Sequence, residues 1–137
     1  MLKRLVSIGI VSGSIFGLLL RVIEQITDKK VYTLLMNMDY FPVIKNWELS
    51  EVVEFSFHIF VSITVVIVLY YGLRKVGHEH QVSPYIWLNV LIGGLLYLTT
   101  IFSERTPELT DMIAFTYWLV GHAIFGVLVG IMIKFSR

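Results

Sequence analysis

The chain has 137 residues, of which 56% are hydrophobic and 15% charged, and a mean hydropathy of +0.77, far from the balance of water-soluble domains. Its net charge of +1 gives no basic surplus for nucleic acid, so no nucleic-acid partner is expected. The absence of cysteine excludes disulfides, thiolate metal sites and cysteine nucleophiles.

The start, Met1-Leu2-Lys3-Arg4 before an apolar run, has the outline of a secretory signal. No small-residue cleavage site follows it and three further apolar segments do, so it is read as a retained first span. Four segments approach the roughly 20 helical residues that a hydrocarbon core requires: Leu5 to Ile26, Val52 to Tyr71, Pro84 to Phe102 and Met112 to Ile133. Lipid supplies no partners for backbone N–H and C=O groups, so unbroken runs of this length must be helices. The expected fold is all-α, a four-span transmembrane helical bundle forming one membrane domain over the whole chain.

In the first span Gly9, Gly13 and Gly17 recur every fourth residue, and Gly126 and Gly130 repeat the spacing in the last. Such small-residue faces let helices approach closely. The two faces are expected to pack on each other within the chain, with a homodimer through them as the alternative. The first span ends in Arg21 and Glu24, whose spacing of three lets them form an ion pair on one helix.

The first connection, Asp28 to Ser50, is long and rich in apolar and aromatic residues. It is expected to hold a short amphipathic helix over about 29–41, ending near Pro42, that lies at the interface or dips into the bundle as its lid. In the second span Glu51, Glu54, His58 and Ser62 form one polar stripe that must face protein. The second connection, Gly72 to Ser83, is basic and reads as a solvated loop. Its His78 and His80 also form a nonspecific metal-binding pattern. In the third, Thr106 and Pro107 are expected to cap and start the last helix, with Glu108 in its first turn, making the last two spans antiparallel neighbours.

An even number of spans puts both termini and the second connection on one side. Lys3, Arg4, Arg74, Lys75, Lys134 and Arg137 lie there against a single acid, Glu79, a moderate bias that makes this side cytoplasmic. Antiparallel threading then brings Arg21, Glu24, Glu54 and His58 to one depth in the outer leaflet, with His122 near the midplane as the floor. These five residues are the candidate polar pocket. Buried salt bridges and histidine cross-links would make it packing glue; titrating Glu54, His58 and His122 would make it a proton relay or sensor. Glu54 and His58 sit one turn apart, so with His122 they also form a weak metal-ligand pattern. No catalytic triad order, phosphate loop, His-Glu-x-x-His or dinucleotide fingerprint is present, so neither an enzyme nor a cofactor is expected.

Together the glycine-patterned first span, the stretch Phe57-His58-x-x-Val61-Ser62 and the run Gly121-His122-Ala123-Ile124-Phe125-Gly126 resemble the YagU-like family of small bacterial inner-membrane proteins. The resemblance implies a bacterial plasma-membrane protein, multi-pass, and draws attention to His58 and His122 without naming a substrate. The resulting expectation is a membrane protein with an outer-leaflet pocket that responds to protons or binds a small ligand. The alternatives are a small proton- or metal-coupled transporter or channel acting as a homodimer, and a structural scaffold whose lone certain partner is the bilayer.

Overall fold

The computed structural model describes residues 1–136. Among the described residues there are five α-helices: α1 (Leu2–Thr27), α2 (Val31–Met36), α3 (Glu51–Lys75), α4 (Val82–Tyr97) and α5 (Met112–Lys134), with a 3-10 turn over Leu98–Phe102 extending α4. α1, α3, α5 and the α4 unit with its 3-10 turn are each long and apolar enough to cross a membrane.

The ends of the helices follow from local chemistry. α1 stops at Asp28, which takes the left-handed conformation (φ 57°) and returns its N–H to the Glu24 carbonyl. α3 is capped by Ser50, whose hydroxyl accepts the Val53 N–H, and ends a full turn beyond the expected Tyr71, with Arg74 and Lys75 in its last turn. α5 departs from expectation. It begins at Met112, and its cap is Asp111, which accepts the Ala114 N–H at 3.0 Å. Thr106 is buried in the preceding loop, its hydroxyl directed to the Ser103 carbonyl at 3.3 Å. The carboxylate of Asp111 is a better N-cap than a threonine beside proline, and Lys29 anchors it at 2.9 Å.

The helices stand in the order α3, α1, α5, α4: α1 packs against both α3 and α5, α5 packs against α4, and α3 and α4 hardly meet. The last two spans are therefore neighbours, as expected. The glycine faces are not matched to each other. A Cβ at Gly9 would stand 2.6 Å from the Ile63 backbone and one at Gly13 2.7 Å from Ser62 Oγ, so the first face is filled by α3. A Cβ at Gly126 would stand 2.6 Å from the Tyr85 carbonyl oxygen, so the second face is filled by α4. α1 meets α5 through Gly121, where Phe16 and Leu20 close in. Both expected glycine grooves are thus covered within the chain.

Toward the termini the bundle is a solid apolar core of Leu5, Ile8, Val66, Tyr70, Tyr85, Val129 and Ile133, all buried. At the other end α2 has only six residues, shorter than the segment expected over 29–41, because past Met36 the chain runs through successive turns to Trp47. Val31, Leu34, Met36, Asn37 and Met38 are buried under it, making this segment the roof of the bundle.

Candidate functional site

Beneath the roof lies a cavity of about 90 Å³. Phe57, His58, Val61, Ser62 and Val65 on α3 form one wall, and Asn89, Ile92 and Leu96 on α4 form the wall opposite. Trp118, His122 and Phe125 on α5 make the back, Phe16 of α1 adds a ring, and Leu34, Leu35, Asn37, Met38 and Tyr40 make the ceiling. At 1.5 Å per residue, His122 lies roughly 15 Å below the start of α5, so the chamber reaches the middle of the bundle.

Phe16 stands between the two histidines, its ring centroid 5.8 Å from that of His58 and 4.9 Å from that of His122. His58 Nε2–H donates to the Gly13 carbonyl at 2.8 Å, which leaves Nδ1 as the ring's lone pair. His122 is 5% exposed and wedged edge-on between Phe16 and Trp118. Neither of its ring nitrogens has a hydrogen-bond partner among the described residues. A buried imidazole without partners is costly, since each unmet polar atom forfeits its hydration. Trp118 Nε1–H donates to the Gly93 carbonyl at 2.8 Å and so fixes α4 against α5 beside His122.

Of the five residues expected in one polar pocket, the structure brings together His58 and His122. Arg21 lies on the outer side of the α1–α3 seam, where it pairs with Glu51 at 3.2 Å, not with Glu24 or Glu54. Tyr32 donates to the same Glu51 carboxylate at 2.9 Å; burial and that carboxylate push its phenol up to about 12, so it remains a donor. Glu24 turns to the roof and accepts both the backbone N–H (2.8 Å) and the hydroxyl (2.7 Å) of Thr33. Glu54 is half-buried and forms no ion pair among the described residues. The reason is rotational: residues at equal depth on neighbouring helices meet only if they share a seam. Likewise no three histidine or acidic side chains converge on a metal position among the described residues, so Glu54, His58 and His122 are not one ligand set.

The roof is fastened to the α4–α5 connection by a set of residues not anticipated as a unit. Asp39 accepts from Ser103 Oγ at 2.6 Å and from Arg105 Nη2 at 3.2 Å, and Arg105 also reaches Asn37 Oδ1 at 3.2 Å. Burial works against the Asp39 carboxylate, but the Ser103 and Arg105 hydrogen bonds outweigh it and hold its pKa below the ordinary value. The Ala114 N–H, and Lys29 after it, likewise hold that of Asp111 low. Sequence reasoning also missed Phe16, Asn37 and Trp118 as chamber residues. The available signal was Trp118 at four residues before His122, on the same helix face.

These features define a small multi-pass integral membrane protein with a histidine-lined chamber in one half of the bundle. Comparison of the chain with profiles of protein families, with curated proteins and with solved structures finds no match.

Proposed function

We propose that the protein is a bilayer-embedded binding protein whose chamber holds a small molecule carrying one hydrogen-bonding group, with His122 as the residue that meets it. The observation that carries this reading is the unpartnered His122 ring, nine-tenths buried in the wall of a cavity. Packing glue would have its nitrogens satisfied by a neighbouring helix, as His58 has through Gly13. The lining is otherwise mostly aliphatic and aromatic with few polar groups, the usual make-up of a ligand site. The apolar core toward the termini supports binding over conduction: among the described residues the buried polar side chains at the chamber's lower end, Ser12, Ser62 and Asn89, each bond the backbone of their own helix, and beyond them the buried polar groups are the Tyr70 and Tyr85 hydroxyls. The excess of lysine and arginine on the terminal side supports an outward-facing roof, and the YagU-like resemblance of the stretches around His58 and His122 is the ground for placing the protein in a bacterial plasma membrane.

Phenol and benzene test this reading by thermal shift in mild detergent, since they share a ring that suits the cavity and differ by one hydroxyl. Phenol is expected to raise the melting temperature more than benzene, and His122→Phe to erase the difference. Equal shifts from the two compounds, or a phenol preference that survives His122→Phe, would overturn it.

A further inference from the structure

The chamber is closed toward both aqueous phases and open toward lipid. On the roof side Leu34, Asn37 and Met38 are buried, and Asp39 clips that segment to Ser103 and Arg105 while Lys29 holds Asp111. On the terminal side the buried Val66, Tyr70 and Val129 fill the bundle. The remaining side is the seam where α3 and α4 hardly meet. The exposed lining residues are there: Phe57 and Val61 on α3, facing Ile92 and Leu96 on α4. Phe57 and Val61 lie roughly 9 and 15 Å along α3 from Glu51, a depth that in a bilayer is hydrocarbon.

We infer that the ligand is a neutral-headed amphiphile dissolved in the bilayer, which passes its head sideways through the α3–α4 seam to His122 and leaves its tail among the lipid chains. This rests on the reading of the chamber as a binding site. The seam residues Phe57, Val61, Ile92 and Leu96 carry no charge or hydrogen-bonding group, so an ionised head would cross them at a prohibitive desolvation cost. A hydroxyl or carbonyl head crosses at a small cost and regains a partner at the imidazole. The 90 Å³ cavity holds a head about the size of one ring or a few carbon atoms and has no room for a folded tail, which the seam lets out.

The test uses the fluorescence of Trp118, which is 2% exposed and lines the chamber, in the variant Trp47→Phe/Trp87→Phe reconstituted in phosphatidylcholine vesicles. The probe is dodecanol brominated beside its hydroxyl, and the control is the same chain brominated beside a phosphate head. A second variant keeping only Trp87, which is 69% exposed on α4, reports simple contact with bilayer-dissolved bromine. The alcohol is expected to quench Trp118 saturably and the phosphate several-fold less, while both quench Trp87 in proportion to their content. Val61→Phe/Ile92→Phe, which narrows the seam, is expected to cut the Trp118 quenching several-fold and Arg105→Ala to leave it unchanged. Non-saturable quenching of Trp118 by both probes, or quenching that depends on Arg105 and not on the seam, would overturn the inference. A chamber that still prefers phenol to benzene while ignoring the alcohol would defeat the lateral route alone; loss of the phenol preference as well would defeat the binding reading beneath it.

Discussion

Gly93 on α4 lies directly against the imidazole of His122 on α5: a Cβ at Gly93 would stand 2.5 Å from the ring's Cγ and Cδ2. The same residue's carbonyl receives the Trp118 indole N–H, so one position holds two of the three aromatic side chains of the chamber's back wall. Alanine there cannot be absorbed by a flexible tip, because the atoms met are the root of a packed ring. Gly93→Ala is expected to cost about 1–3 kcal/mol, the usual range for overpacking, and to abolish the phenol preference. Gly94→Ala, whose new methyl would meet Leu119 at an ordinary 4.0 Å, serves as the comparison and is expected to keep the phenol preference and to gain up to about 1 kcal/mol from the lower backbone freedom of alanine. Thermal unfolding of the two variants with and without phenol decides the matter.

The roof clip makes a prediction about acid. Asp39 has a folded pKa below its ordinary value, so its contribution is complete above the unfolded value near 3.9 and is lost as pH falls through the lower folded value. Asp111, held low by the Ala114 N–H and Lys29, follows the same sign. Amide hydrogen exchange over residues 31–46, corrected for the intrinsic pH dependence of exchange, is therefore expected to accelerate in the parent only below about pH 4, whereas Asp39→Asn, with no carboxylate to titrate there, exchanges faster at every pH and loses most of that acid step, with α3 and the body of α5 beyond its Asp111 cap unaffected. Arg105 is half-exposed, so Arg105→Ala is expected to cost no more than about 1 kcal/mol of global stability. Exchange in the roof that ignores both substitutions would show that the apolar contacts of Val31, Leu34 and Met36 hold it alone.

The spans were legible because length and hydropathy are local properties, and each predicted span lies inside a helix of the structure or its 3-10 extension. What escaped was the rotation of each helix about its own axis. The glycine repeats showed that α1 and α5 have smooth faces, but nothing local states which helix each face meets, and Ile63 and Tyr85 are ordinary residues in ordinary apolar runs. Depth alone put Arg21 and Glu54 together; a seam separates them, and Glu51, one turn earlier on α3, takes the guanidinium instead. His58 was recoverable from its stripe with Ser62, whereas Phe16 and Asn37 gave no signal above their surroundings.

That difference in partners predicts unequal costs for two charges that looked alike in sequence. Arg21 and Glu51 are each at least half exposed, and exposed pairs contribute at most about 1 kcal/mol, so Arg21→Gln is expected to change the unfolding midpoint little. Glu24 instead satisfies two donors of Thr33 in the first turn of α2. Glu24→Ala leaves that turn without its carboxylate, with an expected cost of about 1–2 kcal/mol and faster proteolysis between α1 and α3. Glu24→Gln, which keeps one acceptor, should recover part of the loss. Equal effects of Arg21→Gln and Glu24→Ala would mean the roof is not seated through Glu24.

The glycines themselves provide the sharpest contrast, because their surroundings differ while the substitution is identical. At Gly126 an added methyl would stand 2.6 Å from the Tyr85 carbonyl oxygen and 2.7 Å from Ile86 Cα, both backbone, so α4 and α5 must separate to admit it. At Gly72, inside the last turns of α3, nothing lies within 4 Å. Alanine in a helix is favoured over glycine by about 0.5–1 kcal/mol, since glycine surrenders more backbone freedom on folding. Gly72→Ala is therefore expected to stabilise the protein by about that amount, and Gly126→Ala to destabilise it by about 1–3 kcal/mol, the range for a forced shift in a packed core. Steric trapping or denaturant unfolding in one detergent measures both. If Gly126→Ala were neutral, the close approach of α4 and α5 would not be what seats Gly93 against His122, and the back wall of the chamber would have to be held from the α1 side, through Phe16 and Gly121.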